Sequence, residues 1–146
     1  MPDVGVDYTV PFGEAVVRRE GKDVTIVAIS IMVHKALAAA EVLSQLGIEC
    51  EVIDPRTIYP FDYDTVIKSV SKTHRLIVTH ESNRRSGIGA EIVSQVVEKA
   101  FEELDEKPVI VAGLNVPMPY NRTLEGIVIP SEDKIKQAVL QMMDRV

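Results

Sequence analysis

The run Val24-Thr25-Ile26-Val27-Ala28-Ile29 is apolar on both alternating faces, and it constrains this chain more than any other feature. A strand with one wet side alternates. A strand without alternation needs cover on both faces of its sheet. The cover follows in sequence. Val33, Ala36, Leu37, Ala40, Leu43 and Leu46 fall at i, i+3, i+4, i+7, i+10 and i+13, one apolar stripe of a helix. Ser30 is placed to cap its approach, and Gly47 sits where a helix C-terminus takes a left-handed residue.

The same alternation continues to the end of the chain. Ile48 to Ile53 reads as a strand with one wetter face, and Asp54 to Pro60 as a loop held open by two prolines. Asp62 or Asp64 can cap a short helix carrying Val66, Ile67 and Val70. Leu76 to Thr79 is the next strand, His80 to Gly87 its loop, and Ile92, Val93, Val96, Val97, Ala100, Phe101 and Leu104 mark a further helix. Val109 to Ala112 makes another strand. A proline-rich stretch with Pro117, Pro119 and Pro130 leads to a last helix capped by Ser131, with Ile135, Ala138, Val139, Met142 and Val146 on its apolar face. Ahead of the first buried run, Ala15 to Arg18 reads as a short strand followed by the turn Glu20-Gly21-Lys22-Asp23. Its local pairing is a hairpin with the run at Val24. Residues 1–14 form an N-terminal arm. Residues 15–146 form a single three-layer α/β/α domain with a mainly parallel sheet.

Composition narrows the function. Sixteen basic and twenty-two acidic residues give a net charge of -6, which disfavours nucleic acid as the main partner. One Cys excludes an internal disulfide and a Cys-rich zinc site. No apolar run is long enough to span a bilayer, so a membrane location is not expected. The chain reads as soluble and intracellular, with bacterial cytoplasm, mitochondrial matrix and plastid left undistinguished.

An open parallel sheet places ligands beyond the carboxyl ends of its strands, near the point where strand order reverses. Three loops lie there: Ser30 to His34, Asp54 to Pro60 with Asp54, Arg56 and Thr57, and His80 to Gly87. In the third, Arg84 and Arg85 precede Gly87-Ile88-Gly89, whose following amides suit an anion. The third glycine of a dinucleotide fingerprint is missing, and Glu91 opposes an anion at that helix start. Close packing of helix on strand is therefore the preferred reading of these glycines, with an anion site as the alternative. His80 and Glu81 are adjacent, so on a continuing strand they face opposite ways and make a poor acid/base couple. His34 and His74 read as surface or interface residues. Cys50 reads as a small buried apolar residue. No catalytic, cofactor-binding or metal-binding residue is assigned. His34, Asp54, Arg56, Thr57, His80, Glu81, Arg84, Arg85, Gly87, Gly89, Asp144 and Val146 are interface or switch-point candidates.

Six segments in register carry a family resemblance: Arg19 to Thr25, Met32 to Leu37, Glu51 to Thr57, Ser69 to Arg75, Gly87 to Ile92, and Val116-Pro117-Met118-Pro119-Tyr120. Together they resemble the C-terminal domain of the beta subunit of thiamine-diphosphate-dependent 2-oxoacid dehydrogenases, a domain also similar to that of transketolase. The resemblance covers roughly residues 10–146. It implies a mixed five-stranded sheet of order 1-3-2-4-5 with the first strand antiparallel, so the first strand sits beside the third, against the local hairpin reading. It implies pyruvate as the parent enzyme's substrate ahead of acetoin, branched-chain and sugar-phosphate alternatives. It places thiamine diphosphate and Mg2+ elsewhere in that enzyme, on an N-terminal domain of the same subunit and on an alpha subunit. The expectation is a truncated or excised domain that binds neither alone and is inactive alone. The implied role is assembly. Its partners would be that N-terminal domain, the alpha subunit, a second beta subunit in an alpha2-beta2 tetramer, and the basic subunit-binding domain of an acyltransferase core near Asp144 and the Val146 carboxylate. The family's common Glu-Ala-Pro-Arg-Thr-Gly-Gly loop is replaced here by Glu81-Ser82-Asn83-Arg84-Arg85-Ser86-Gly87. A stand-alone anion- or nucleotide-binding module using Arg84, Arg85 and Gly87 is the rival reading.

Overall fold

Helices cover both faces of one five-stranded sheet, as the unbroken apolar run of the first long strand requires. The structure is a computed structural model and describes residues 9–143. In chain order the strands are β1 (Val16–Arg19), β2 (Val24–Ala28), β3 (Cys50–Asp54), β4 (Leu76–Asn83) and β5 (Val109–Gly113). The helices are α1 (Met32–Ser44), α2 (Tyr63–Thr73), α3 (Ile88–Ala100), α4 (Arg122–Val128) and α5 (Glu132–Met143), with a 3-10 turn at Phe101–Glu103.

The sheet order is β1-β3-β2-β4-β5. β2, β3, β4 and β5 run parallel, and β1 lies antiparallel on the β3 edge with Val16 opposite Asp54 and Val17 opposite Ile53. The hairpin through Gly21 suggested by local sequence is therefore wrong, and the order implied by the resemblance is right. The chain leaves β1, crosses the start of β3 and enters the sheet on its other side. Gly21 makes the crossing possible: a Cβ there would lie 2.2 Å from the Cys50 carbonyl carbon and from Glu51 N. The turn is then used to hold the arriving strand, because Lys22 N and Asp23 N both donate to Glu49 O, at 2.9 and 3.0 Å.

Pleating divides β2 between two cores. Val24, Ile26 and Ala28 face α1 and α5 together with Met32, Leu43, Ile135 and Val139. Val27 faces α2 and α3 with Ile53, Val66, Val70, Ile92 and Val96. Thr25 points the same way as Val27 and escapes the cost of an unpaired buried hydroxyl. Its Oγ1 is 2.6 Å from both Ser69 Oγ and Thr73 Oγ1 of α2.

Several local expectations hold and some fail. Asp62 caps α2, accepting from Thr65 N at 3.0 Å, and Ser131 Oγ accepts from Lys134 N at 3.3 Å. Gly47 is left-handed at φ +80. Ser30 does not cap α1: it is itself left-handed, at φ +59, and its hydroxyl donates to Glu81 at 3.2 Å. β4 does not stop at Thr79 but runs on to Asn83. Helix α4 inside the proline-rich stretch was not expected. Asn121 nucleates it by accepting from Thr123 N and Leu124 N, a cap that the surrounding prolines hide. Phe101, placed on a helical apolar face by spacing, is 68% exposed because α3 tightens into the 3-10 turn there.

Candidate binding cleft at the carboxyl ends of the strands

Two of the three loops singled out by topology meet in space. The segment after β2 and the segment after β3 enclose a cleft of about 570 Å³, in the range of small-molecule sites. Ser30, His34, Asp54, Arg56 and Thr57 all line it, and Arg18 of β1 joins them. The antiparallel placement of β1 is what brings Arg18 there, so a hairpin reading could not have found it. Arg18 donates twice to Asp54 Oδ2, from Nε at 3.1 Å and from Nη2 at 2.7 Å.

Both loops are shaped by residues in the left-handed region. Arg56 has φ +58 and Ser30 φ +59, a conformation that costs a non-glycine residue some energy unless neighbours fix it. At Arg56 the fixing bonds are clear. Its amide donates to Asp54 Oδ1 at 3.0 Å, and its Nε donates to Glu14 O at 2.8 Å. Thr57 Oγ1 donates to Pro60 O at 2.8 Å and accepts from Gly13 N at 2.9 Å, tying the N-terminal approach to the same loop. Asp62 takes the next bond, from Ala15 N at 2.9 Å. Burial pushes the Asp62 carboxyl up, but its hydrogen bonds from Ala15 and Thr65 outweigh this and hold it below the usual range.

The reversal of strand order falls between β2 and β4, and the Ser30–Glu81 hydrogen bond spans it. His80 lies on the opposite side of β4 from Glu81. It is 2% exposed and packs beneath the start of α3. Its Nδ1 is 2.8 Å from Ser82 Oγ, and its Nε2 has no hydrogen-bond partner among the described residues. Burial lowers its pKa, with Arg84 acting the same way and the Ser82 carbonyl opposing. His80 and Glu81 therefore form no acid/base couple.

Gly87 and Gly89 exist to let α3 approach this ring. A Cβ on Gly87 would sit 2.4 Å from Asn83 O and 2.6 Å from His80 Cε1, and one on Gly89 would sit 2.7 Å from His80 Nε2. That is the packing reading of the Gly-Ile-Gly segment. Arg84 turns away from the helix start and donates to Ile110 O. The Arg85 amide donates to Asn115 Oδ1 at 2.8 Å. Asp144 and Val146 lie outside the described residues.

Two further polar clusters stand apart from the cleft. Glu51 on β3 is 3% exposed and pairs with Lys72. Burial pushes its carboxyl up, but hydrogen bonds led by Lys72 hold it low, and the same contact raises the Lys72 ammonium. Cys50 is fully buried and its thiol is pushed up to about 12 by burial, so it is inert as a nucleophile. Among the described residues no group of three or more His, Cys, Asp or Glu is placed to hold a metal ion. No helix among them is long and apolar enough to cross a membrane.

The described surface also carries an apolar ridge after β5. Leu114, Val116, Met118, Tyr120, Leu124 and Ile127 are all exposed, Tyr120 completely. Large exposed apolar patches mark contact surfaces.

Residues 13–135 match the profile of the family described as "Transketolase, C-terminal domain". The chain is 49% identical over 130 residues to the pyruvate dehydrogenase E1 component subunit beta of Rickettsia felis, covering 89% of this chain and 40% of that protein. It is 44% identical over 136 residues to the acetoin:2,6-dichlorophenolindophenol oxidoreductase subunit beta of Cupriavidus necator, covering 93% of this chain and 40% of that one. Among solved structures, a split-gene transketolase described as an inactive beta4 tetramer superposes with a TM-score of 0.80 at 28% identity, over 98% of this chain and 46% of that one. The chain thus spans about 40% of the length of the curated relatives it matches.

Proposed function

The chain belongs to the transketolase C-terminal domain family, and from that premise we propose that it serves as the C-terminal assembly and docking domain of a 2-oxoacid dehydrogenase beta subunit, acting on pyruvate in the complete enzyme. The observation that carries this reading is the exposed ridge from Leu114 to Ile127. It includes the Val-Pro-Met-Pro-Tyr segment. Six exposed apolar side chains within fourteen positions offer a partner surface apolar area to bury.

In the complete enzyme, thiamine diphosphate with Mg2+ supplies the electron sink for decarboxylation. The reading places no part of that group's binding on this domain. The cofactor is assigned instead to the alpha subunit and to the N-terminal domain of the beta subunit. This domain's work is to present the ridge to those partners or to a second beta subunit. The net charge of -6 steers encounter with the basic subunit-binding domain of an acyltransferase core.

The test is a graft. Residues 14–143 replace the matching segment of the Rickettsia felis beta subunit, which is then expressed with the alpha subunit of the same enzyme. The expected result is a co-purifying complex that decarboxylates pyruvate, and its loss on Tyr120→Asp plus Ile127→Asp without loss of helical circular dichroism. A folded graft that stays apart from the alpha subunit, or double substitution with no effect on assembly, refutes the reading.

A further inference from the structure

We infer that the cleft between the β2 and β3 carboxyl ends is a binding site for a small monocarboxylate with a short apolar tail, with Arg56 as its principal charge partner. This inference does not rest on the assembly reading and survives its failure.

The charge of the cleft runs against the charge of the chain. The chain carries -6, yet this cleft is lined by two guanidiniums, Arg18 and Arg56, and one carboxylate, Asp54. The two arginines are not equivalent. Arg18 is spent on Asp54 through two hydrogen bonds. Arg56 uses only Nε, on a backbone carbonyl, and among the described residues its two Nη groups meet no acceptor. A carbonyl neutralises no charge, so Arg56 keeps its full positive charge and a free planar pair of donors. A carboxylate matches that pair with two parallel bonds. A phosphate dianion would bring twice the charge against Asp54, so the arrangement favours the single charge.

Arg56 is also pre-positioned. Its left-handed backbone is held by its own amide on Asp54 and its Nε on Glu14 O, so little side-chain freedom is left to lose on binding. Apolar side chains share the lining with the charges. Ile29, Val33, Leu37 and Ile58 are among them, and Ile58 is half exposed. Burying a hydrocarbon tail there is favourable at about 25 cal/mol per Å² of apolar surface. A cationic group and apolar side chains lining one cleft suit an amphipathic anion.

The experiment is an amide NMR titration of the whole chain with three probes: hexanoate, hexan-1-ol and inorganic phosphate. Hexanoate is expected to shift the amides of Val33, His34, Arg56 and Thr57 saturably. Hexanol, which lacks the charge, and phosphate, which lacks the tail, are each expected to bind at least about ten-fold more weakly. Arg56→Gln is expected to weaken hexanoate by about ten-fold in a chain whose spectrum stays dispersed. Equal binding of hexanol, equal binding of phosphate, shifts scattered away from the cleft, or an Arg56→Gln chain that binds as before each overturns the assignment. The three-probe comparison needs no variant and decides the matter even if Arg56→Gln fails to fold.

Discussion

The contact between Gly89 and His80 gives the sharpest test of how α3 is seated. In Gly89→Ala the new Cβ would lie 2.7 Å from His80 Nε2, 2.9 Å from His80 Cδ2 and 3.0 Å from Ile110 Cγ2. Comfortable carbon contacts lie near 3.5–4.0 Å, so the overlap is about 0.5–1 Å on three atoms. The ring cannot swing clear, since His80 is 2% exposed and anchored at Nδ1 by Ser82. Overpacking of this kind costs about 1–3 kcal/mol. Alanine in place of glycine inside a helix returns about 1 kcal/mol. The net expectation is a loss of up to about 2 kcal/mol, or up to roughly 6 °C in Tm at this size. The decisive measurement is a double-mutant cycle, with urea unfolding followed by circular dichroism in the His80→Ala background. With the ring gone the two closest overlaps go and the 3.0 Å contact with Ile110 Cγ2 remains, so Gly89→Ala costs clearly less there and approaches neutral. If Gly89→Ala costs the same in both backgrounds, the glycine is not there for His80 and the packing argument fails.

Three other outcomes follow from the geometry. His80 has a lowered folded-state pKa, so the unfolded chain binds the extra proton first. Stability is full above the ordinary histidine value, about 6.5, and falls as pH drops from there through the lowered value. His80→Gln flattens that slope between pH 7.5 and 5.5 in urea midpoints, above the range where Asp62 and Glu51 begin to titrate. Cys50 should resist a thiol reagent in the native state at pH 8 and react in strong denaturant, as absorbance of the released thiolate would show. Lys72→Met leaves the Glu51 carboxylate buried against a neutral chain and should cost about 1–2 kcal/mol at pH 7, read from the urea midpoint, with most of the loss recovered in Lys72→Met with Glu51→Gln.

Much of this molecule is legible in its sequence, and the failures have physical causes. The apolar periods of α1, α3 and α5 name most of their buried faces, because helices that cover a sheet must keep one stripe dry; Leu46 and Phe101, past the ends of α1 and α3, are exposed instead. Two of the three loops named from the strand ends line one cleft. The meeting of His34, Asp54, Arg56 and Thr57 in one cleft follows from topology alone. Arg18 was missed because its strand pairs across the sequence with β3, and nothing local records a partner 36 positions away. His80 was placed in a loop because Glu81, Ser82 and Asn83 look polar. They extend β4 at its exposed end, where one more turn of pleat places the imidazole inside and the carboxylate outside. Helix α4 was hidden by prolines on both sides, although Asn121 and Glu125 hold the capping and first-turn chemistry that start it.

The antiparallel β1 has a consequence for the order in which the chain comes together on a ribosome. β1 is the first of the described strands to emerge, but its neighbour in their sheet is β3, whose last residue arrives some 35 positions later. At ordinary elongation speed that is roughly 2–7 s in which β1 has no ladder to join. β2 must also wait for β3 and β4, and the crossing at Gly21 closes only when Cys50 and Glu51 are in place. The parallel strands are therefore the seed and β1 the closing flap. Its late arrival covers the edge of β3 and moves that border of the sheet to the short β1, opposite the other border at β5, so a stranger's strand can no longer pair with β3.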